Sequence, residues 1–263
     1  MGDLGVLGKI AARVTERVAE AKKKSPAAAL RGTPLYARKP LSLVAALVGD
    51  GPRVIAEVKF VSPSEGVLRP GASAKAAAEI AHAYARAGAA AISILTEKDA
   101  FKGDPSFLAA ARAECPSTPL LMKDFILDEW QFELARSVGA DAVLLIAALL
   151  GPRLAPMHSA AKSLGLSVLV EVHDEAEAEA ALAAGAECVG VNSRDLKTLH
   201  VDLAVARRLA PLAVRSKAAV AESGLRSRAD IDALAALGYK GFLVGTSFMK
   251  SPYPAVALKT FLS

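Results

Sequence analysis

The stretch RVIAEVKFVSPSEGVL, residues 53–68, joins an apolar strand to two charged residues at its end. Between Val54 and Val58 every residue except Glu57 is small or β-branched, which is typical of a strand buried on both faces of a parallel sheet. Glu57 and Lys59 lie two residues apart, so alternation places both on one side of the strand. For a single strand, an ion pair at the strand exit explains these charges. Similar charges at later strand ends favour a functional site.

A repeated unit of helix, glycine, small residue and apolar strand follows this stretch. Glycine ends the preceding helix at Gly88, Gly139, Gly185 and Gly238. The predicted strands are Val54–Val58, Ala90–Leu95, Leu120–Phe125, Ala142–Ala147, Ser167–Val172, Cys188–Asn192, Ala218–Glu222 and Gly241–Val244. Eight strands that alternate with eight helices predict one α/β domain over residues 1–263, a (β/α)8 TIM barrel. A doubly wound open sheet is the alternative, but its glycine-rich dinucleotide turn is missing after the first strand.

Residues 1–48 precede the repeated unit and are predicted to form an N-terminal helical extension of the same domain. Helical spacing gives Leu4–Lys24 one apolar face, which consists of Leu7, Ile10, Val14 and Val18. A second short helix is predicted over Leu41–Val48.

The formal net charge of +5 is concentrated in this extension. Residues 1–40 carry nine basic and three acidic side chains, a net charge of +6, which leaves −1 for the rest of the chain. No aromatic residue interleaves with these cations before Tyr36. We therefore expect a solvated helix face rather than a nucleic-acid-binding strip.

The composition is that of a cytoplasmic α/β protein. With 53% hydrophobic but only 5% aromatic residues, the core must consist of Ala, Val, Leu and Ile. No run of about 18 uncharged apolar residues occurs, and residues 1–30 are charged and amphipathic rather than a signal peptide, so no membrane association is expected. Cys115 and Cys188 lie far apart without metal-ligand spacing, which predicts neither a disulfide nor a metal site.

Charged side chains at the strand ends converge on one mouth of the predicted barrel, where barrel enzymes carry their chemistry. Alternation turns seven polar residues inward at these ends: Glu57, Lys59, Lys123, Glu171, Asn192, Arg194 and Glu222. Three carboxylates and three cations are costly to desolvate together unless they handle a polar ligand, so this ring predicts an active site rather than a structural network. For His173, two residues after Glu171, helix capping or loop packing is the expected role.

Two glycine turns end the last two strands, at Glu222-Ser223-Gly224 and Gly245-Thr246-Ser247. Glycine lets backbone N–H groups approach an anion, and phosphate-binding barrels place this site after strands seven and eight. The turns therefore predict a phosphate site.

Seven motifs resemble, in order, those of the indole-3-glycerol phosphate synthase family: AEVK followed by SPS, LLMKDFILD, DAVLLIAALL, LVEVHD, GVNSRDLKTL, VAESG and LVGTSFM. The resemblance runs from Val54 to the C-terminus, and the basic N-terminal helix is similar to that family's extension. It implies a tryptophan-pathway enzyme that cyclises 1-(2-carboxyphenylamino)-1-deoxyribulose 5-phosphate to indole-3-glycerol phosphate with loss of carbon dioxide and water. It implies no metal and no organic cofactor. The expected partner is a phosphorylated small molecule, with no nucleic acid or membrane, in a monomer or weak homo-oligomer.

The resemblance also implies roles for individual residues. Lys123 would be the general acid on the ribulose carbonyl, and Glu171 the base that assists dehydration; neighbouring Lys and Arg would lower the pKa of Lys123. The catalytic set would also include Glu57 and Lys59. The remaining residues would bind the substrate: they would orient its charges, hold its carboxylate or phosphate, or form a wall beside its aromatic ring. These residues are Asn192, Arg194, Glu222, Ser62, Ser223, Gly224, Gly245, Thr246, Phe101 and Phe125.

Departures from the family pattern are few. Phe60 and Val61 stand where the family commonly carries a basic residue, and Thr246 stands where Ser is usual. Two alternatives remain open from the sequence. One is another phosphosugar barrel, such as the isomerase of the preceding pathway step, whose first strand carries a cysteine where this chain has Glu57 and Lys59. The other is a non-catalytic barrel scaffold, which would be expected to have lost some of the mouth charges.

Overall fold

The computed structural model describes residues 5–195 and 198–263. Its strands are β1 (Arg53–Val58), β2 (Val61–Ser62), β3 (Gly66–Val67), β4 (Ala91–Leu95), β5 (Leu120–Lys123), β6 (Ala142–Ile146), β7 (Ser167–Val172), β8 (Cys188–Asn192), β9 (Ala218–Glu222) and β10 (Gly241–Val244). β2 and β3 pair as a short antiparallel hairpin. The other strands are parallel and close into a barrel, in which β1 pairs with both β4 and β10. The predicted TIM barrel is confirmed.

Three helices lie between residues 5 and 52, before the first strand: α1 (Gly5–Lys24), α2 (Ala27–Arg31) and α3 (Leu43–Leu47). The predicted extension is therefore helical, with one more short helix than the sequence indicates. Leu4, the predicted first residue of α1, lies outside the described residues. No helix in the described part of the chain is long and apolar enough to cross a membrane.

Helices form the outer layer of the barrel. They are α4 (Ala74–Arg86), α5 (Pro105–Glu114), α6 (Trp130–Ser137), α7 (Ala147–Leu150), α8 (Leu154–Ser163), α9 (Glu175–Ala183), α10 (Ala204–Ala213), α11 (Arg228–Ala235), α12 (Thr246–Lys250) and α13 (Pro254–Leu262), with a 3-10 turn at Gly151–Arg153. The hairpin of β2 and β3 and the short helices α7 and α12 are absent from the sequence prediction. Each is only two to five residues long, too short to show a periodic pattern.

β5 ends at Lys123, two residues before the predicted end at Phe125. The reason is the side chain of Asp124, whose Oδ1 accepts the backbone N–H of Phe125 at 2.9 Å and whose Oδ2 accepts the Thr96 hydroxyl at 2.7 Å. These bonds turn the chain out of the sheet just after Lys123 and leave that lysine at the carboxyl end of its strand.

The apolar residues form two layers, one inside the barrel and one between the strands and the helices. The inner layer contains the side chains that alternation turns inward, including Ile55, Leu121, Leu169, Val220 and Leu243. Leu43 and Leu47 of α3 pack against them and are fully buried. With this layer filled, the open space inside the barrel lies toward the carboxyl ends of the strands.

Ion pairs attach the basic extension to the barrel. Arg17 lies 3.0 Å from Glu97, Lys22 lies 2.8 Å from Asp128, Arg31 lies 2.5 Å from Glu133, and Arg38 lies 2.5 Å from Asp141. Two of these acids, Glu97 and Asp141, have fully buried side chains. The expectation of a solvated face is therefore wrong for Arg17 and Arg38, whose side chains are 28% and 23% exposed. Lys22 and Arg31 remain solvated, at 45% and 59% exposed, although they also pair with acids of the barrel.

Candidate active site

The carboxyl ends of the barrel strands surround a cleft of about 910 Å³, including its opening to solvent. A concave cleft with a few convergent polar groups is the usual form of a small-molecule site. The cleft is lined by eleven of the residues predicted for the site: Glu57, Lys59, Ser62, Phe101, Lys123, Phe125, Glu171, Asn192, Arg194, Glu222 and Ser223. Leu7 and Ile10 of α1 also line it, so the extension forms part of the wall.

Lys123 lies between two carboxylates at the floor of this cleft. Its Nζ donates to Glu222 Oε2 at 2.7 Å and to Glu171 Oε2 at 3.1 Å. The side chains of the two glutamates are only 2% and 3% exposed, whereas that of Lys123 is 15% exposed. One cation thus holds two nearly inaccessible acids in place while it faces the cleft.

The charges around Lys123 make its protonated form stable. Burial opposes its positive charge, but the carboxylates of Glu222, Glu171 and Glu57 outweigh burial and raise the pKa of Lys123 above its ordinary value. This finding corrects the expectation that neighbouring cations lower that pKa. The nearest mouth lysine, Lys59, instead forms its own ion pair with Glu57 at 2.9 Å.

The two carboxylates that share Lys123 have different proton affinities. Burial disfavours ionisation of Glu171, but Lys123 and the imidazole of His173 hold the pKa of this acid well below its usual range. Burial raises the pKa of Glu222 to about 7, since the attraction of Lys123 offsets burial only in part and the charge of Glu171 adds to the rise. At neutral pH Glu171 is thus ionised, and Glu222 is close to its midpoint.

Apolar and aromatic side chains form one half of the cleft. The rings of Phe101 and Phe125 lie 6.2 Å apart between centroids, with their planes inclined at 36°. Leu144 and Ile146 of β6 line the same cleft. These surfaces suit a flat aromatic group, and the role of the two phenylalanines in binding it stays a prediction.

The predicted glycine turns form a second pocket beside the first. It is lined by Ser223, Gly224, Gly245 and Thr246, together with Glu57, Lys59 and Arg194, which line both pockets. Ser223 has a φ of +64°, a conformation that non-glycine residues rarely adopt, so the turn after β9 carries backbone strain. The combination of an aromatic pocket and a glycine-lined pocket joined by two cations fits a ligand with an aromatic end and an anionic end.

A family model described as indole-3-glycerol phosphate synthase matches residues 7–261. The chain belongs to this family. The indole-3-glycerol phosphate synthase of Carboxydothermus hydrogenoformans is 44% identical to it, over 98% of this chain and 99% of that protein. That of Burkholderia vietnamiensis is 42% identical, over 93% of this chain and 97% of that protein. The family consists of carboxy-lyases of tryptophan biosynthesis, and the resemblance drawn from the motifs is confirmed.

Solved structures of other enzymes share the fold. A 3-hexulose-6-phosphate synthase from Salmonella typhimurium aligns with a TM-score of 0.63 at 16% identity, over 80% of this chain and 96% of that chain. At this identity the likeness shows only the barrel.

Within this barrel, Arg194 links two loops at the mouth. Its Nη1 donates to Ser64 Oγ at 3.2 Å and to the carbonyl of Leu199 at 2.9 Å, and Ser62 and Ser64 share a hydroxyl hydrogen bond of 3.0 Å. Asn192 Oδ1 accepts the backbone N–H of Arg194 at 3.0 Å. Leu196 and Lys197 of the predicted GVNSRDLKTL motif lie outside the described residues.

Gly190 is a residue of this site that the sequence interpretation does not single out. A Cβ atom there would overlap Glu222 Oε1, so only glycine leaves room for the carboxylate that binds Lys123. A glycine within a strand, on the inward face between Cys188 and Asn192, was the available signal.

Arg17 and Glu97 also belong to the support of the site, although they lie 80 residues apart in sequence. Glu97 accepts the backbone N–H groups of Asp99, Ala100 and Phe101 at 2.9, 2.7 and 3.1 Å. It therefore fixes the loop that carries the aromatic wall, and Arg17 neutralises it.

Proposed function

We propose that the chain converts 1-(2-carboxyphenylamino)-1-deoxyribulose 5-phosphate to indole-3-glycerol phosphate, with Lys123 as general acid and Glu171 as general base. The observation that carries this proposal is the position of Lys123, which is shared by Glu171 and Glu222 at the floor of the two-part cleft. Family membership supports the overall reaction, and the geometry supports the residue roles.

Substrate orientation follows from the two pockets. The carboxyphenyl ring would lie against Phe101 and Phe125, and the phosphate would lie in the pocket of Gly224 and Gly245. Arg194, which lines both pockets, is placed to balance the charges of the substrate, as is Lys59 beside it. The ribulose carbonyl then lies between the two ends, above Lys123.

Ring closure forms a carbon–carbon bond between the carboxyl-bearing ring carbon and the ribulose carbonyl carbon. Negative charge develops on the carbonyl oxygen, and Lys123 donates a proton to it. Loss of carbon dioxide returns the electron pair to the ring and restores its aromaticity. The raised pKa of Lys123 keeps the side chain protonated at neutral pH. When substrate binds, the ammonium group must move from Glu171 and Glu222 toward the carbonyl oxygen.

Dehydration then removes the new hydroxyl group as water. Glu171 takes a proton from the carbon beside the one that bears the hydroxyl group, which completes the double bond of the indole, and passes this proton to the departing hydroxide, so that water leaves and the carboxylate is regenerated. Its low pKa in the resting site keeps it ionised and ready to accept that proton. The distance of 3.1 Å between Glu171 and Lys123 supports roles for the two groups at neighbouring substrate atoms.

Single-turnover kinetics of Lys123→Ala and Glu171→Gln test these roles. Lys123→Ala should slow ring closure by roughly 10²- to 10⁴-fold, the usual contribution of a positioned general acid, with a much smaller change in binding. Glu171→Gln should slow dehydration and let a cyclised intermediate accumulate. Lys162→Ala is the matched control, because Lys162 also forms a lysine–glutamate pair but on the outer surface with Glu187. Ring closure at the wild-type rate in Lys123→Ala, with a lowered melting temperature, would show that Lys123 is only structural.

A further inference from the structure

His173 lies between two carboxylates, directly behind the proposed base. Its Nε2 is 3.4 Å from Glu171 Oε1, and its Nδ1 is 3.1 Å from Glu177 Oε2. The side chain is 16% exposed. Nε2 is buried and has no hydrogen-bond partner within residues 5–195 and 198–263, and it faces the Glu171 oxygen that Lys123 does not bind.

We infer that His173, held in place by Glu177, is a positioning residue that keeps the Glu171 carboxylate oriented and ionised while Lys123 serves the substrate. The inference rests on the proposed role of Glu171 as base. It assigns the two oxygens of Glu171 to two different cations, Oε2 to Lys123 and Oε1 to His173.

The need for a second cation follows from the reaction itself. When Lys123 turns to the carbonyl oxygen and gives up its proton, Glu171 loses the positive charge beside it. A carboxylate that is only 3% exposed would then take up a proton, because burial disfavours its charged form. It could no longer serve as base in dehydration. A positively charged His173 ring beside Oε1 of Glu171 keeps the carboxylate ionised.

His173 has the surroundings that such a role needs. Burial opposes a charge on its ring, but the flanking carboxylates outweigh burial and raise its pKa to about 10. The charged groups that act on it are Glu171 on β7 and Glu177 on α9, and Lys123 of β5 acts through Glu171. The ring is therefore protonated at neutral pH, before and after the proton of Lys123 is used.

Helix capping is the competing explanation. Glu177 Oε2 also accepts the backbone N–H of His173 at 2.8 Å, just before the start of α9. The N-cap of α9 is Asp174 rather than His173, so this bond lies beside the cap and involves only the backbone of His173. Nε2 of the ring still faces Glu171. A test must separate the two roles.

Three variants separate them. His173→Gln removes the ring charge, Glu177→Gln removes the charge behind the ring but keeps an oxygen for the backbone N–H, and Glu179→Gln is the control. Glu179 lies on the same helix, is 54% exposed and pairs with Arg215 on the surface. Rapid-mixing kinetics should resolve ring closure and dehydration between pH 5 and pH 9.

Loss of the cation should raise the pKa of Glu171 by at least about one unit, the effect of one opposite charge at this distance. In His173→Gln the pH below which dehydration slows should rise by that amount. The dehydration rate should then begin to fall below that of wild type toward the acidic end of this range, with ring closure nearly unchanged. Glu177→Gln should change dehydration in the same direction by less, and the double variant should match His173→Gln. Glu179→Gln should match wild type.

An NMR titration of the His173 ring needs no substrate and separates this inference from the proposed function. In wild type the ring should remain protonated at pH 8. In Glu177→Gln it should lose its proton at a lower pH than in wild type. Titration near the ordinary value in wild type would overturn the inference whatever the activity. Failure of wild type to form the indole product would overturn the proposed function, and normal dehydration in Glu171→Gln would overturn the base assignment together with this inference. An unmoved pH profile in His173→Gln, with Glu171→Gln impaired, would overturn the inference alone.

Discussion

Replacement of Arg17 by Met should destabilise the protein more at high pH than at low pH. Arg17 Nη1 lies 3.0 Å from Glu97 and 2.5 Å from Asp99, and Nη2 lies 3.6 Å from Asp124. Methionine keeps the apolar stem that packs along α1 and removes only the charged group. The change therefore leaves the side chains of Glu97 and Asp124, 0% and 5% exposed, without their cation.

The magnitude follows from burial and from the remaining partners. Breaking a buried ion pair by removing one partner costs about 3–5 kcal/mol. Arg17 is itself 28% exposed, and Glu97 keeps three backbone N–H donors, so we expect a smaller cost than this range, about 2–3 kcal/mol. The loop that ends in Phe101 should also loosen and raise KM several-fold.

Asp124 gives the effect its pH dependence. Burial raises its pKa to about 6 even with Arg17 present, above the value of about 3.9 in an unfolded chain. A group whose folded pKa is raised contributes stability that is full below about pH 4 and is lost as pH rises through about 6. Without Arg17 the folded pKa rises further, so the penalty for ionising Asp124 is larger at pH 8 than at pH 5, where the group is mostly protonated.

Urea unfolding of wild type and variant at pH 5 and pH 8 measures this difference. Arg13→Met is the matched control, since Arg13 is an exposed arginine of the same helix. The loss of stability in Arg17→Met should be greater at pH 8 by about 1 kcal/mol, the value of somewhat less than one pKa unit. An equal loss at both pH values, or a midpoint indistinguishable from Arg13→Met, would refute the reasoning.

Three further predictions follow from the same contacts. Gly190→Ala should displace Glu222 and lower kcat at least tenfold with the fold intact by circular dichroism; an unchanged kcat would show that the carboxylate position is unimportant. Thr246→Val, which removes one hydroxyl near the phosphate pocket, should raise KM roughly tenfold with little change in kcat, as steady-state kinetics would measure. Deletion of residues 1–40 should lower the melting temperature far more than a deletion ending at Lys24. Only the longer deletion removes Arg38, which pairs with the buried Asp141. Equal melting temperatures would contradict this.

The inward residues at the mouth could be predicted because strand alternation is a local rule. Once Val54–Val58 is read as a strand, the side of Glu57 and Lys59 follows, and the same holds for Glu171 after Leu169. The closure of the barrel then brings these ends together, so the charged residues of the mouth follow from spacing alone.

Distances between side chains do not follow from spacing. The sign of the pKa change at Lys123 was predicted wrongly because the sequence counts three cations at the mouth but does not say that Lys59 pairs with Glu57. A substitution of Gly245 by Val would be a poor probe of the predicted phosphate site for the same reason. A Cβ atom at Gly245 would overlap the carboxylate of Glu57, so the change should affect kcat as well as KM.

The ion pairs that attach the extension to the barrel could not be predicted from the sequence either. Arg17 and Glu97 lie 80 residues apart, and Arg38 and Asp141 lie 103 apart. A basic helix alone does not reveal which acids it will meet. The sequence indicates that the charge is concentrated there, and only the folded chain shows that it is matched to buried carboxylates of the barrel.

The choice of Glu171 over Glu222 as base has a physical argument that is independent of the family resemblance. Both acids are almost fully buried and both bind Lys123, so position relative to the acid does not distinguish them. The surroundings of their Oε1 atoms distinguish the two acids. Glu171 Oε1 faces the imidazole of His173, whereas Glu222 Oε1 is buried without a hydrogen-bond partner among the residues that the structure describes. Groups whose environments separate their pKa values in this way are suited to different tasks. A base must be ionised before the proton arrives, and at neutral pH Glu171 meets that condition more fully than Glu222.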